Sequence, residues 1–136
     1  MDKQEDCNTH VKKALDFGIN FFDTANICSS GVSEMMTGHA IKSLAKREEI
    51  IIATKVGLPM PDGSSPRALS KDLIEKHVHQ SLKKLDTDYI DLYQIHRWYY
   101  TTPIEETMKA GTVDPVETHV FLHSGNVDKV AQELYS

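Results

Sequence analysis

Cysteine is scarce, and so is everything that would mark a specialised chain. Only Cys7 and Cys28 are present, with no CxxC pair, so neither a disulfide framework nor a zinc knuckle is on offer. Long hydrophobic runs are missing too. Residues 50–53 form the densest apolar patch, strand-sized and far from the roughly 18 residues of a membrane span. Positive charge is in deficit: 15 Lys and Arg stand against 20 Asp and Glu, for a net −5, and no basic stripe follows a phosphate backbone. These absences argue against membrane and nucleic-acid partners. The acidic opening, residues 1–6, fits neither a secretory nor an Arg-rich transit peptide, so a cytoplasmic protein is expected. Metal ligands are not grouped: His77 and His79 lie two apart on a helical pattern, and His119 and His123 fall in strand or loop context. With 136 residues and 40% hydrophobic content the chain suits one domain with a real core. It is shorter than the roughly 250 residues of a complete eightfold β/α barrel.

What is present is an alternation of helical and strand-like segments. Val11, Ala14 and Leu15 give residues 9–17 helical spacing, and Gly18 suits the left-handed position that ends a helix. A short apolar run, 19–22, leads into Asp23, after which 28–31 reads as loop. Ser33 offers an N-cap, with Glu34 in the first turn and Met36, Ala40, Ile41 and Leu44 as the apolar stripe of a helix over 33–45. The β-branched run 50–56 has the character of a strand covered on both faces, and the proline-rich stretch 59–66 that of an irregular loop. Ser70 caps a further helix carrying Ile74, Val78, Leu82 and Leu85. Residues 89–96 are strand-like, and Thr102-Pro103-Ile104-Glu105 forms a capping box for a short helix to Ala110, with Gly111 ending it. Helix and strand in units of about 30 to 40 residues imply an α/β fold with parallel strands.

Asp23, Lys55 and His96 each close a candidate strand. Each has an ordinary reading alone: a turn cap, an exposed lysine, a packed histidine. Together they gain weight, because in parallel α/β folds the strands' carboxyl ends converge on the ligand site. An acid and an amine held together keep each other charged, and an imidazole beside them orients a carbonyl oxygen by hydrogen bonding. Such a set suits proton-coupled carbonyl chemistry.

Four ordered segments carry a resemblance: residues 18–25 (GINFFDTA), Ser33-Glu34 with Gly38, Ala53-Thr54-Lys55, and 88–96 (DYIDLYQIH). Over residues 9–110 the chain resembles the aldo-keto reductase family. With 96–98 and 102–108 included, it is similar to the short-loop microbial and fungal branch containing aryl-alcohol dehydrogenase-like proteins. The resemblance implies a partial (β/α) TIM-type barrel of about three parallel strands and an NADP(H)-dependent oxidoreductase that reduces aldehydes or ketones. It assigns Asp23, Lys55 and His96 to three places of a catalytic tetrad, and Asp23 also to the cofactor. The fourth place, a proton-donating tyrosine, is occupied by Cys28. A thiol is acidic enough, at roughly pKa 8.5 against about 10 for a phenol, but stops short of the phenolic oxygen's reach. Weakened carbonyl reduction is therefore expected. The first barrel strand, the later strands and most of the cofactor site have no counterpart in residues 1–110.

After Ala110 the resemblance stops, and residues 111–136 carry no recognised motif; their pattern is that of a strand (Val116, Thr118, Val120, Leu122) followed by a helix capped at Asn126. The rival reading is a catalytically silent binding or regulatory module, or an unstable remnant. Part of a barrel has two unpaired sheet edges, so self-association is expected.

Overall fold

The computed structural model describes residues 3–63, 66, 68–97 and 99–110, together with the strand at 120–122. Helix α1, Lys3–Asp16, begins well before the expected 9–17. Its early turns have no apolar stripe and are held by tertiary contact instead: Gln4 Nε2 donates to the Met36 carbonyl at 3.0 Å. Gly18 then takes φ +80°, the left-handed turn expected of it. Strand β1 is Phe21–Asp23 and strand β2 is Ile51–Val56. Between them, α2 spans Val32–Leu44. Its N-cap is Gly31 at φ +87°, with no side-chain cap bond, so Ser33 is not the cap. Leu44 is exposed at 37%, which leaves Ala40 and Ile41 as the buried part of the stripe.

Helix α3, Lys71–Leu85, follows expectation: the Ser70 side chain accepts from the Leu73 amide, and Ile74, Val78 and Leu85 are buried. Burying each such side chain stabilises the fold by about 1.5–3 kcal/mol. Strand β3 is Leu92–Ile95 and α4 is Ile104–Ala110. The Thr102 hydroxyl accepts from the Leu69 amide at 3.3 Å, tying α4 to the segment before α3 rather than serving the expected capping box. A fourth strand, β4, Val120–Leu122, lies beside β3 at the end of the strand pattern expected in the tail, and adds to the three strands of residues 1–110. The Gly111 stop, the tail helix, Trp98, His119 and His123 lie outside the described residues.

All three strand pairings are parallel, in the order β1-β2-β3-β4. This is the α/β, partial TIM-type barrel topology. Period-two alternation divides the sheet. On one face Phe22, Ile52, Val56, Tyr93 and Ile95 pack against Ala40, Ile41, Ile74, Val78 and Leu85 of α2 and α3, forming the core. The opposite face presents Phe21, Asp23, Ile51, Ala53, Lys55, Leu92 and Gln94. There Phe21 is 46% and Ile51 39% exposed. Among the described residues no helix is long and apolar enough to cross a membrane.

Candidate active site

The open face ends in a polar rim at the strands' carboxyl ends. Asp23 is the last residue of β1, and both its carboxylate oxygens accept from Lys55 Nζ on β2 at 2.5 Å. Parallel register makes this contact, because Asp23 sits beside Ala53 and Lys55 lies one pleat further on, on the same face. Lys55 Nζ also donates to the Thr24 carbonyl at 3.3 Å. The pair is unevenly buried, with 19% of the Lys55 side chain and 45% of the Asp23 side chain exposed. Solvent therefore screens the ion pair on the carboxylate side and leaves that side accessible.

His96 follows β3 directly, and its amide donates to the Val56 carbonyl at 2.7 Å, extending the β2–β3 ladder to the rim. Its ring Nδ1 is buried without a hydrogen-bond partner. Burial, then the Lys55 ammonium, lower the imidazole's pKa from its ordinary value; Asp23 opposes this and Arg97 adds to it. A neutral ring with one N–H to donate is thus favoured at neutral pH. The structure brings Asp23 and Lys55 into contact and places His96 within the field of both.

Cys28 lies outside this hydrogen-bonded set. It is a free, exposed thiol that opens the 3₁₀ turn Cys28–Gly31. The turn is backed by two left-handed non-glycine residues, Ser29 at φ 49° and Ser30 at φ 55°, before Gly31. Such residues cost roughly 1–2 kcal/mol each.

Two polar residues escaped sequence reasoning. Gln94, the register partner of Lys55, donates from Nε2 to Asp23 Oδ1 at 3.3 Å. Its only sequence signal is period two: it shares the parity of His96 on β3. Glu34, read only as an acid in the first turn of its helix, is fully buried on the helix side of the sheet. There its Oε1 accepts from the Thr54 hydroxyl at 2.7 Å. Clefts of about 540 and 790 Å³ between α2 and α3 share no residue with the rim.

Fold and rim together define a β/α-barrel protein whose ionised pair and imidazole stand where barrel enzymes hold their reacting groups. The model of the Aldo/keto reductase family matches residues 1–112, and the chain belongs to that family. It is 44% identical over 97 residues to the aldo-keto reductase YhdN of Bacillus subtilis, covering 71% of this chain and 29% of that protein. A probable voltage-gated potassium channel subunit beta of Arabidopsis thaliana is 42% identical over 96 residues, covering 70% of this chain and 29% of that protein. Among solved structures, the holo form of aldo-keto reductase AKR11C1 from Bacillus halodurans superposes with a TM-score of 0.75 at 34% identity, over 93% of this chain and 45% of that one. The thermostable aldo-keto reductase Tm1743 gives 0.82 at 28% identity, over 98% and 47%. The chain thus spans about a third of the curated relatives and nearly half of these two solved chains.

Proposed function

We propose that the rim of Asp23, Lys55 and His96 is the proton-handling part of an NADP(H)-dependent site for reducing aldehydes or ketones, with Cys28 at the proton donor's position. The observation that carries this reading is the Asp23–Lys55 pair closing two parallel strands, with His96 in its field. The setting is cytoplasmic, where both cysteines stay reduced.

Asp23 fits a nicotinamide cofactor. Its carboxylate is 45% exposed, and two oxygens have lone pairs beyond those used by Lys55 and Gln94, which suits the hydroxyls of a ribose. The reduced nicotinamide, when bound, supplies the hydride. Everything else falls to the chain. Lys55 sets its ammonium against the Asp23 carboxylate and so sets the rim's potential. Neutral His96 donates a hydrogen bond that orients the carbonyl oxygen. Cys28 must pass its proton from a short side chain, which calls for a bridging water and slows the step.

Titrating the 136-residue chain with NADPH, following cofactor fluorescence, tests the reading. A saturable change together with slow turnover of an aromatic aldehyde supports it. A flat trace overturns it in favour of a catalytically silent module.

A further inference from the structure

On the helix side of the sheet, behind the rim, lie three buried side-chain oxygens without a hydrogen-bond partner: Glu34 Oε2, Tyr93 Oη and Ser81 Oγ. The fold gathers them around one point. Glu34 Oε1 accepts from the Thr54 hydroxyl, so its second oxygen lies close by, over β2. Thr54 is the register partner of Tyr93 on β3, and both side chains face the helices. The Tyr93 hydroxyl feels the Glu34 charge: burial first, and that charge second, raise its pKa well above the ordinary 10. Ser81 is placed by the helix crossing. Helix α2 joins β1 to β2 and α3 joins β2 to β3, so the two run in the same direction, and they meet where Gly38 approaches the Leu85 carbonyl. One turn back along each helix, on the same faces, stand Glu34 and Ser81.

These groups are complementary in chemistry and out of each other's reach. The Tyr93 hydroxyl, protonated at neutral pH, has a proton to donate; Glu34 Oε2 has lone pairs to offer; Ser81 can do either. No direct bond joins them. With Glu34, Thr54 and Ser81 at 0% and Tyr93 at 2% exposure, the site is closed to a side chain from elsewhere and to any ligand of several atoms. Whatever covers the opposite face of the sheet does not enter it. Buried polar groups in this relation are bridged by internal water, which needs two to four polar partners. We propose that one ordered water sits among Glu34 Oε2, Tyr93 Oη and Ser81 Oγ as a fixed part of the fold, accepting from Tyr93 and donating to Glu34 and Ser81. Its role is positioning. Thr54 and Tyr93 immediately precede Lys55 and Gln94, the register pair that contacts Asp23, so the water ties α2 and α3 to the backs of the strands that carry the rim.

A crystal structure of the full chain, resolved far enough to show ordered solvent and grown with rubidium chloride as the salt, tests the proposal. The expected result is one density peak within hydrogen-bond distance of all three oxygens, without a rubidium anomalous signal. An anomalous peak at that point would make the occupant a monovalent cation and overturns the proposal. So does the lack of any peak, whether or not Tyr93 Oη is then bonded directly to Glu34. In solution, oxygen-17 relaxation dispersion counts long-lived internal waters. Ser81→Val fills the site with methyl groups and should lower that count by about one relative to the unaltered chain. Equal counts overturn the proposal. The crystal structure uses the unaltered chain, so it remains decisive even where Ser81→Val does not fold. None of these outcomes depends on cofactor binding, so they stand or fall apart from the proposed activity.

Discussion

The Thr54 hydroxyl donates to Glu34 Oε1 at 2.7 Å, and both residues are fully buried. Thr54 is the neighbour of Lys55 on β2 but faces the opposite side of the sheet, so this bond fastens α2 to the back of the strand that carries the rim's amine. Cutting one partner leaves a buried carboxyl unsatisfied, which costs about 1–3 kcal/mol and more where the group is charged. Thr54→Val, nearly equal in shape, should therefore destabilise the chain by at least 1 kcal/mol in chemical denaturation. The double variant Thr54→Val/Glu34→Leu should lose less than the sum of the two single variants. Strict additivity would show that the hydroxyl and carboxyl do not support each other.

Asp23 and Lys55 act on His96 in opposite senses, the carboxylate raising its pKa and the ammonium lowering it. Lys55→Met should raise the His96 pKa, and Asp23→Asn should lower it further. An NMR titration of the His96 ring protons reads both shifts directly. Shifts of the same sign, or none in either variant, would mean that the imidazole stands apart from the pair.

Much of this was legible in residue pattern. The β-branched run at 50–56 announced β2, Ser70 its helix, and Gly18 its turn, because each rests on local chemistry: β-branching, capping, positive φ. The meeting of Asp23, Lys55 and His96 at one rim was legible because strand ends can be located from sequence and parallel strands bring their ends together. What stayed hidden depended on tertiary contact. Residues 3–8 of α1 have no apolar stripe and are secured by docking on α2, as the Gln4 bond to Met36 illustrates. Glu34 looked like a first-turn acid because such residues usually face water; only the Thr54 hydroxyl beneath it gives it reason to turn inward. Gln94 carries no charge to mark it, and its contact with Asp23 reaches from β3 past Lys55.

Gly38 permits the close approach of two helices. A Cβ placed there would stand 2.3 Å from the Leu85 carbonyl oxygen and 2.6 Å from the Leu85 carbonyl carbon, backbone atoms at the end of α3. The helix can shed that clash only by moving α2 off α3, where Ile41, Ala40 and Leu85 share the core. Gly38→Ala should thus destabilise by about 1–3 kcal/mol, although alanine has the higher helix propensity. A thermal melt decides the sign: a raised midpoint would show that the two helices are looser than this packing implies.

Acid should loosen the fold through two histidines. Burial lowers the pKa of His77 and of His96 from the ordinary 6.5. The folded chain therefore holds fewer protons on these rings than the unfolded chain at any pH between their folded values and about 6.5. Stability rises with pH wherever the unfolded state binds more protons, so it should be full above about pH 6.5 and fall as pH drops through that value, levelling off once the folded rings titrate as well. His77→Gln keeps a polar side chain that does not titrate. Denaturation midpoints measured from pH 5 to 8 should show a shallower acid-side slope for His77→Gln than for the unaltered chain, with the remaining slope due partly to His96. An unchanged slope would remove His77 from the linkage and with it the inference that its burial disfavours the charged ring.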